Sequence, residues 1–163
     1  MLLIQITKRV DGSSVLRCVR SDGSVTWQKQ DSKHAAFFAY HDLTHFAVES
    51  VLGYRQGFFG LIAQGWEIED TTGKGSRGRL PDEALEVENL VGLLDRERGG
   101  SALWSVEEFN DTAALQASST GRTAPRPLSP EDLAQVKAKR SGLFSQWRAL
   151  PIGQCLQLQF EQI

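Results

Sequence analysis

An α+β fold is what this sequence predicts: an antiparallel sheet of about four strands built from both ends of the chain, packed on one face by a buried central helix with additional helices around it. Three observations carry that expectation. Both ends alternate apolar and polar residues with the period of a half-buried strand, the middle repeats its apolar residues at helical spacing, and an Asp-Gly turn separates two of the strand-like runs.

Leu2, Ile4 and Ile6 alternate with Leu3, Gln5 and Thr7, which predicts a first strand ending at Asp11-Gly12. Val15 to Arg20 predicts a second. Ser21-Asp22-Gly23-Ser24 then forms a hairpin turn into Val25, Thr26 and Trp27. Asp31 or Ser32 is positioned to cap a helix that runs through Val51, apolar on nearly every side and therefore buried. After Gly53 and Gly57, which suit a break or a close approach, Phe58 to Trp66 has room for two helical turns. Pro81 and Asp82 open an amphipathic helix that carries Leu85, Val87, Leu90, Val91, Leu93 and Leu94 and stops at Gly99-Gly100. Ser105 with Glu108 three residues on reads as a capping box. Ser118 to Ser129 has the composition of an exposed connection, and Ser129-Pro130-Glu131-Asp132 starts a last helix. Leu156, Leu158 and Phe160 alternate with Gln157, Gln159 and Glu161, predicting a final strand that joins the N-terminal sheet.

A chain of 163 residues fits a single domain, and its formal net charge of −2 gives no electrostatic reason to bind nucleic acid. The opening MLLIQITKRV reads as a strand and not as a leader, and the longest apolar run, Gly57 to Ala63, falls far short of a bilayer span. A cytosolic protein with no membrane partner is expected. Cys18 and Cys155 fall in separate strands and suit small core residues. Thr71 to Arg79 is glycine-rich and basic but lacks the Walker A spacing, so a surface loop is expected there, placed to cover the mouth of a site.

All three histidines lie in the central helix. At about 100° per residue, His34, His41 and His45 share one stripe, with Asp42 and Glu49 beside it. His41 and His45 stand one turn apart and can both reach one ion, the arrangement that zinc uses with imidazole ligands. Glu49 is a further turn on and suits orientation of His45 better than ligation. The acidic group Glu67, Glu69 and Asp70 is the nearest supply of a third ligand, with Glu69 the expected one and His34 the alternative. With an open coordination position, such a metal would activate water for hydrolysis of a small-molecule substrate, Asp42 or Glu49 accepting the proton. The other reading is a non-catalytic interaction domain. In it, the stripe is a hydrogen-bonded network and Gly57 to Trp66 supplies a dimer or partner surface.

His41-Asp42-Leu43-Thr44-His45 has the form HDxxH and is similar in outline to the zincin helix HExxH, with Asp42 standing at the acid position. It also resembles the HDxxH metal motif of the Coq-four family of ubiquinone-biosynthesis proteins. In that family a glutamate twelve residues beyond the second histidine completes the site, and Gly57 occupies this position here. The longer stretch HDLTHFAVESVLGYRQGFFGLIAQGW resembles a segment of small uncharacterised bacterial proteins, a likeness that implies a family and no particular activity.

Overall fold

A computed structural model describes residues 1–30, 33–100 and 103–162. Four strands, β1 (Leu2–Lys8), β2 (Ser14–Arg20), β3 (Val25–Gln30) and β4 (Cys155–Phe160), form an antiparallel sheet in the order β3-β2-β1-β4. Alternation fixes its register. Ile4 stands between Cys18 and Leu158, and Ile6 between Leu16 and Leu156, so the apolar set of each strand falls on one face. Leu2, Ile4, Ile6, Leu16, Cys18, Leu156 and Phe160 are buried there. Cys18 and Cys155 are free thiols.

The cover on that face is α1 (Ala35–Leu52), with α2 (Phe58–Ala63) beside it. Leu43, Phe46, Ala47, Val48, Phe59 and Ile62 join the strand residues in one core. The cap expected from Asp31 or Ser32 lies outside the described residues. Its other end stops at Gly53, whose φ of 73° is the left-handed conformation that lets its N–H return to the Glu49 carbonyl. Compared with the sequence expectation, α2 is shorter: it ends at Ala63, before Gly65 (φ 102°) turns the chain. Phe59, Leu61 and Ile62 are buried within the chain itself.

Two more helices flank α1: α3 (Asp82–Arg98) and α5 (Pro130–Ala149), while α4 (Val106–Ser119) packs on α3. Both expected caps form. Ser105 Oγ accepts from Glu108 N–H at 3.1 Å and Glu108 returns the bond; Ser129 and Asp132 do the same for α5. At the far end of α5 the Lys8 ammonium donates to the carbonyls of Trp147 and Leu150, placing a cation at the negative end of the helix. Among the described residues no helix is long and apolar enough to cross a membrane.

The glycine-rich loop after α2 is built onto one carboxylate. Asp70, in a 3-10 turn over Glu69–Thr72, accepts from Ser76 N–H at 3.1 Å through Oδ1 and from Glu67 N–H at 3.2 Å through Oδ2. A Cβ on Gly75 would lie 2.4 Å from Asp70 Oδ1, so the loop closes over the acid with no space to spare.

Candidate metal centre

Helical geometry places His41, His45 and Glu49 along one side of α1, and α3 crosses that side. His41 meets Asp95 and His45 meets Glu88, so residues later on α1 meet residues earlier on α3, and the two helices run antiparallel at this contact. One ligand atom from each of His41, His45 and Glu88 lies within 4.8 Å of the other two, a grouping that could hold a metal ion. His45 Nε2 and Glu88 Oε1 are already 3.3 Å apart. That is roughly the edge of a tetrahedron around zinc with ligands at about 2.0 to 2.1 Å, so His41 is the member that must draw closer, by up to about 1.5 Å.

Each imidazole is held at its other nitrogen by a carboxylate. Asp95 Oδ2 lies 2.7 Å from His41 Nδ1, and Glu49 Oε1 lies 3.3 Å from His45 Nδ1. An ionised carboxylate can only accept, so both Nδ1 atoms carry hydrogen and donate. In each ring Nε2 is the nitrogen left for a ligand. His45 Nε2 is buried and has no hydrogen-bond partner among the described residues, because Glu88 approaches it at ion-pair distance but off the direction of an N–H bond. Aromatic rings set the remaining freedom. His41 packs between Phe37 at 5.3 Å and the His45 ring, which it meets edge to face at 4.8 Å, and His45 is backed by Phe58 at 5.3 Å, measured between ring centroids.

Glu49 ties this pair to α2. Its Oε1 accepts from Phe59 N–H at 3.2 Å and its Oε2 from Gly60 N–H at 3.0 Å, satisfying donors that the first turn of α2 leaves unpaired. The carboxylate fits there because Gly57 has no side chain: a Cβ on Gly57 would lie 2.4 Å from Glu49 Cδ.

The charges follow from these contacts. Burial disfavours the His45 imidazolium, but the Glu49 and Glu88 carboxylates outweigh it and raise its pKa to about 10. For Glu88, partial burial acts to raise the pKa, and the adjoining His45 more than reverses it, leaving the carboxyl below its ordinary value. Burial drives Asp42 the other way, up to about 6, against the opposing hydrogen bond from Gln30 and the nearby histidines.

Of the residues expected from the sequence, the structure brings together His41 and His45 and sets Glu49 behind His45. Asp42 is elsewhere engaged: its Oδ2 accepts from Gln30 Nε2 at 2.8 Å, and Gln30 in turn accepts from Ser14 at 2.5 Å, a buried chain that joins α1 to the sheet. Glu69 is exposed on the 3-10 turn and stands outside the histidine grouping; its neighbours Glu67 and Asp70 pair with Arg20 and the glycine-rich loop. His34 lies at the start of α1, also outside the grouping. The third member of the histidine grouping is Glu88, and the partner of His41 is Asp95. The available sequence signal was the spacing of these two acids, two helical turns apart beside the apolar stripe of α3.

The chain matches no family model, no curated protein and no solved structure.

Proposed function

We propose that this protein binds a divalent metal ion, zinc foremost, through His41 Nε2, His45 Nε2 and a Glu88 carboxylate oxygen, with Asp95 and Glu49 orienting the two rings. The observation that carries this reading is the buried, hydrogen-bond-free Nε2 of His45 facing Glu88 while the Nδ1 atoms of both histidines are locked by acids. Carboxylate–histidine pairing of this kind fixes the tautomer and raises the basicity of a metal-binding ring. Three protein ligands leave a coordination position open, and an ion held so supplies Lewis acidity and an activated water, the requirements of a hydrolase-like metalloenzyme. Glu49 and Asp42 both have hydrogen bonds committed within the fold, which argues against either as the group that would accept a proton in such a reaction.

A second reading keeps the same residues without an ion. His45, protonated between Glu49 and Glu88, is then a buried ion-pair network that joins α1, α2 and α3, and the protein is a non-catalytic interaction or dimerisation domain. Elemental analysis and zinc titration of the purified chain separate the two. The metal reading expects one ion per chain in the wild type and none in the double variant His41→Ala, His45→Ala. No uptake by either protein after zinc or manganese loading rejects it.

A further inference from the structure

A cavity of about 750 Å³ lies between α3 and the C-terminal end of α4, within the range of small-molecule sites, and Glu88 is part of its wall. A second hollow of about 490 Å³ shares Arg79, Leu85 and Arg122 with the first and extends it toward the glycine-rich loop. Gly92, one turn beyond Glu88 on α3, also lines the cavity. A helix interior disfavours glycine relative to alanine, and an added Cβ at Gly92 would meet nothing within 4 Å. The missing side chain therefore leaves open space between Glu88 and Asp95, the two acids that face the histidines.

The polar groups around this space are unevenly occupied. Asp82 pairs with Arg79, Glu83 accepts from the backbone N–H of Gln56, Glu86 adjoins the Tyr54 hydroxyl, and Glu88 pairs with His45. Arg96 faces the Gln116 side-chain amide, whose oxygen accepts from its guanidinium once the amide is turned to suit its neighbours. The Arg122 guanidinium lines both hollows and makes no hydrogen bond or ion pair among the described residues. A planar fork of donors without an acceptor is suited to a carboxylate or a phosphate.

We propose that this cleft is the substrate site of the metal centre, taking a small anionic molecule whose phosphate or carboxylate docks on Arg122 and whose remainder reaches the ion past Gly92. The assignment rests on the metal reading above. Its test uses the full chain loaded with cobalt(II), whose visible absorption reports its ligands, titrated with inorganic phosphate and separately with acetate. A saturable spectral change is expected with at least one anion, and the tighter of the two names the ligand class. In Arg122→Gln the apparent Kd should rise about tenfold or more, as expected for loss of a charge-assisted hydrogen bond. In Gly92→Val cobalt should still bind and the anion-induced change should disappear. Anion binding that is equally tight in the wild type and in Arg122→Gln overturns the cleft assignment, as does cobalt uptake with no anion response, and both leave the metal site standing. Failure of the wild type to take up cobalt overturns the metal reading and this assignment together.

Discussion

Replacing Gly57 by alanine tests whether Glu49 is the link between α2 and the histidines. Gly57 has φ −76°, which any residue adopts, so alanine meets no backbone strain and would by itself be mildly stabilising. The three atoms nearest to its Cβ all belong to Glu49: Cδ at 2.4 Å, Oε2 at 2.7 Å and Cγ at 2.8 Å. Because Cγ is included, rotating the carboxylate about its last bond does not relieve the overlap, and the side chain is fully buried with nowhere to withdraw. Overpacking costs roughly 1–3 kcal/mol. If the carboxylate escapes the clash by leaving Phe59 and Gly60 N–H, it forfeits two charge-assisted bonds worth about 1.5–3 kcal/mol each, so a loss of roughly 3–6 kcal/mol is expected in place of the overpacking penalty. Urea unfolding of the wild type, Gly57→Ala, Glu49→Ala and the double variant measures it. With Glu49 truncated the obstruction is gone, and Gly57→Ala should then cost less than about 1 kcal/mol. Zinc affinity should fall about 10- to 100-fold in Gly57→Ala, the range for loss of a group that orients a ligand. An equal cost of Gly57→Ala in both backgrounds, or a cost below 1 kcal/mol in the wild type, would refute the link.

Three further outcomes follow from the same geometry. Burial opposes the His45 imidazolium, but Glu49 and Glu88 raise its folded pKa above the unfolded value, so in the metal-free protein its contribution to stability is complete below about pH 6.5 and is lost as pH rises through about 10. Zinc must displace that proton, so affinity should climb about tenfold per pH unit over the interval; calorimetry in buffers of different ionisation enthalpy should register one proton released per ion, and none released would contradict the site. Asp42 is also raised, by burial, from 3.8 to about 6, which for a carboxyl means that its ionisation in the folded protein weakens stability as pH rises from about 4 to 6. Asp42→Asn should therefore stabilise the protein at pH 7.5 by up to roughly 3 kcal/mol, with the gain fading by pH 4; thermal unfolding across pH checks the sign. Lys8→Met removes the cation that caps α5 and should cost about 1.5–3 kcal/mol while leaving zinc affinity unchanged, a control that separates stability from the site.

The parts of this protein legible in the sequence are those decided by local periodicity. Leu2, Ile4 and Ile6 at one end and Leu156 and Phe160 at the other declare a buried sheet face, and Ser105 with Glu108 declares a helix start, because each signal is complete within a few residues. The stripe of His41 and His45 was readable for the same reason. Glu88 was not. On α3 it competes with Asp82, Glu83, Glu86 and Asp95, and only the antiparallel crossing with α1, at a particular axial offset, selects Glu88 for His45 and Asp95 for His41. Glu69 is nearer to the histidines in sequence, but the short turn after α2 leaves it exposed on the 3-10 turn. Asp42 lies beside the histidines on a helical wheel, yet the buried amide of Gln30 from β3 claims its carboxylate, a partner that no spacing rule within α1 could name.

Charge balance bears on which occupant the centre favours. Three carboxylates, Glu49, Glu88 and Asp95, surround two imidazoles, and Glu49 alone also draws on the N–H groups at the start of α2. One proton on His45 offsets a single carboxylate and keeps both ring nitrogens of a buried imidazole charged, against the desolvation that burial imposes. A divalent ion in its place offsets two, returns the His45 ring to neutrality and gives His45 Nε2 the partner it lacks. The acids that make His45 hold a proton so firmly are thus the same groups that make it a strong ligand, and the competition turns on the ion's availability and the pH. That dependence is why the metal titration and the proton count must agree: an ion that binds without displacing the His45 proton is bound elsewhere.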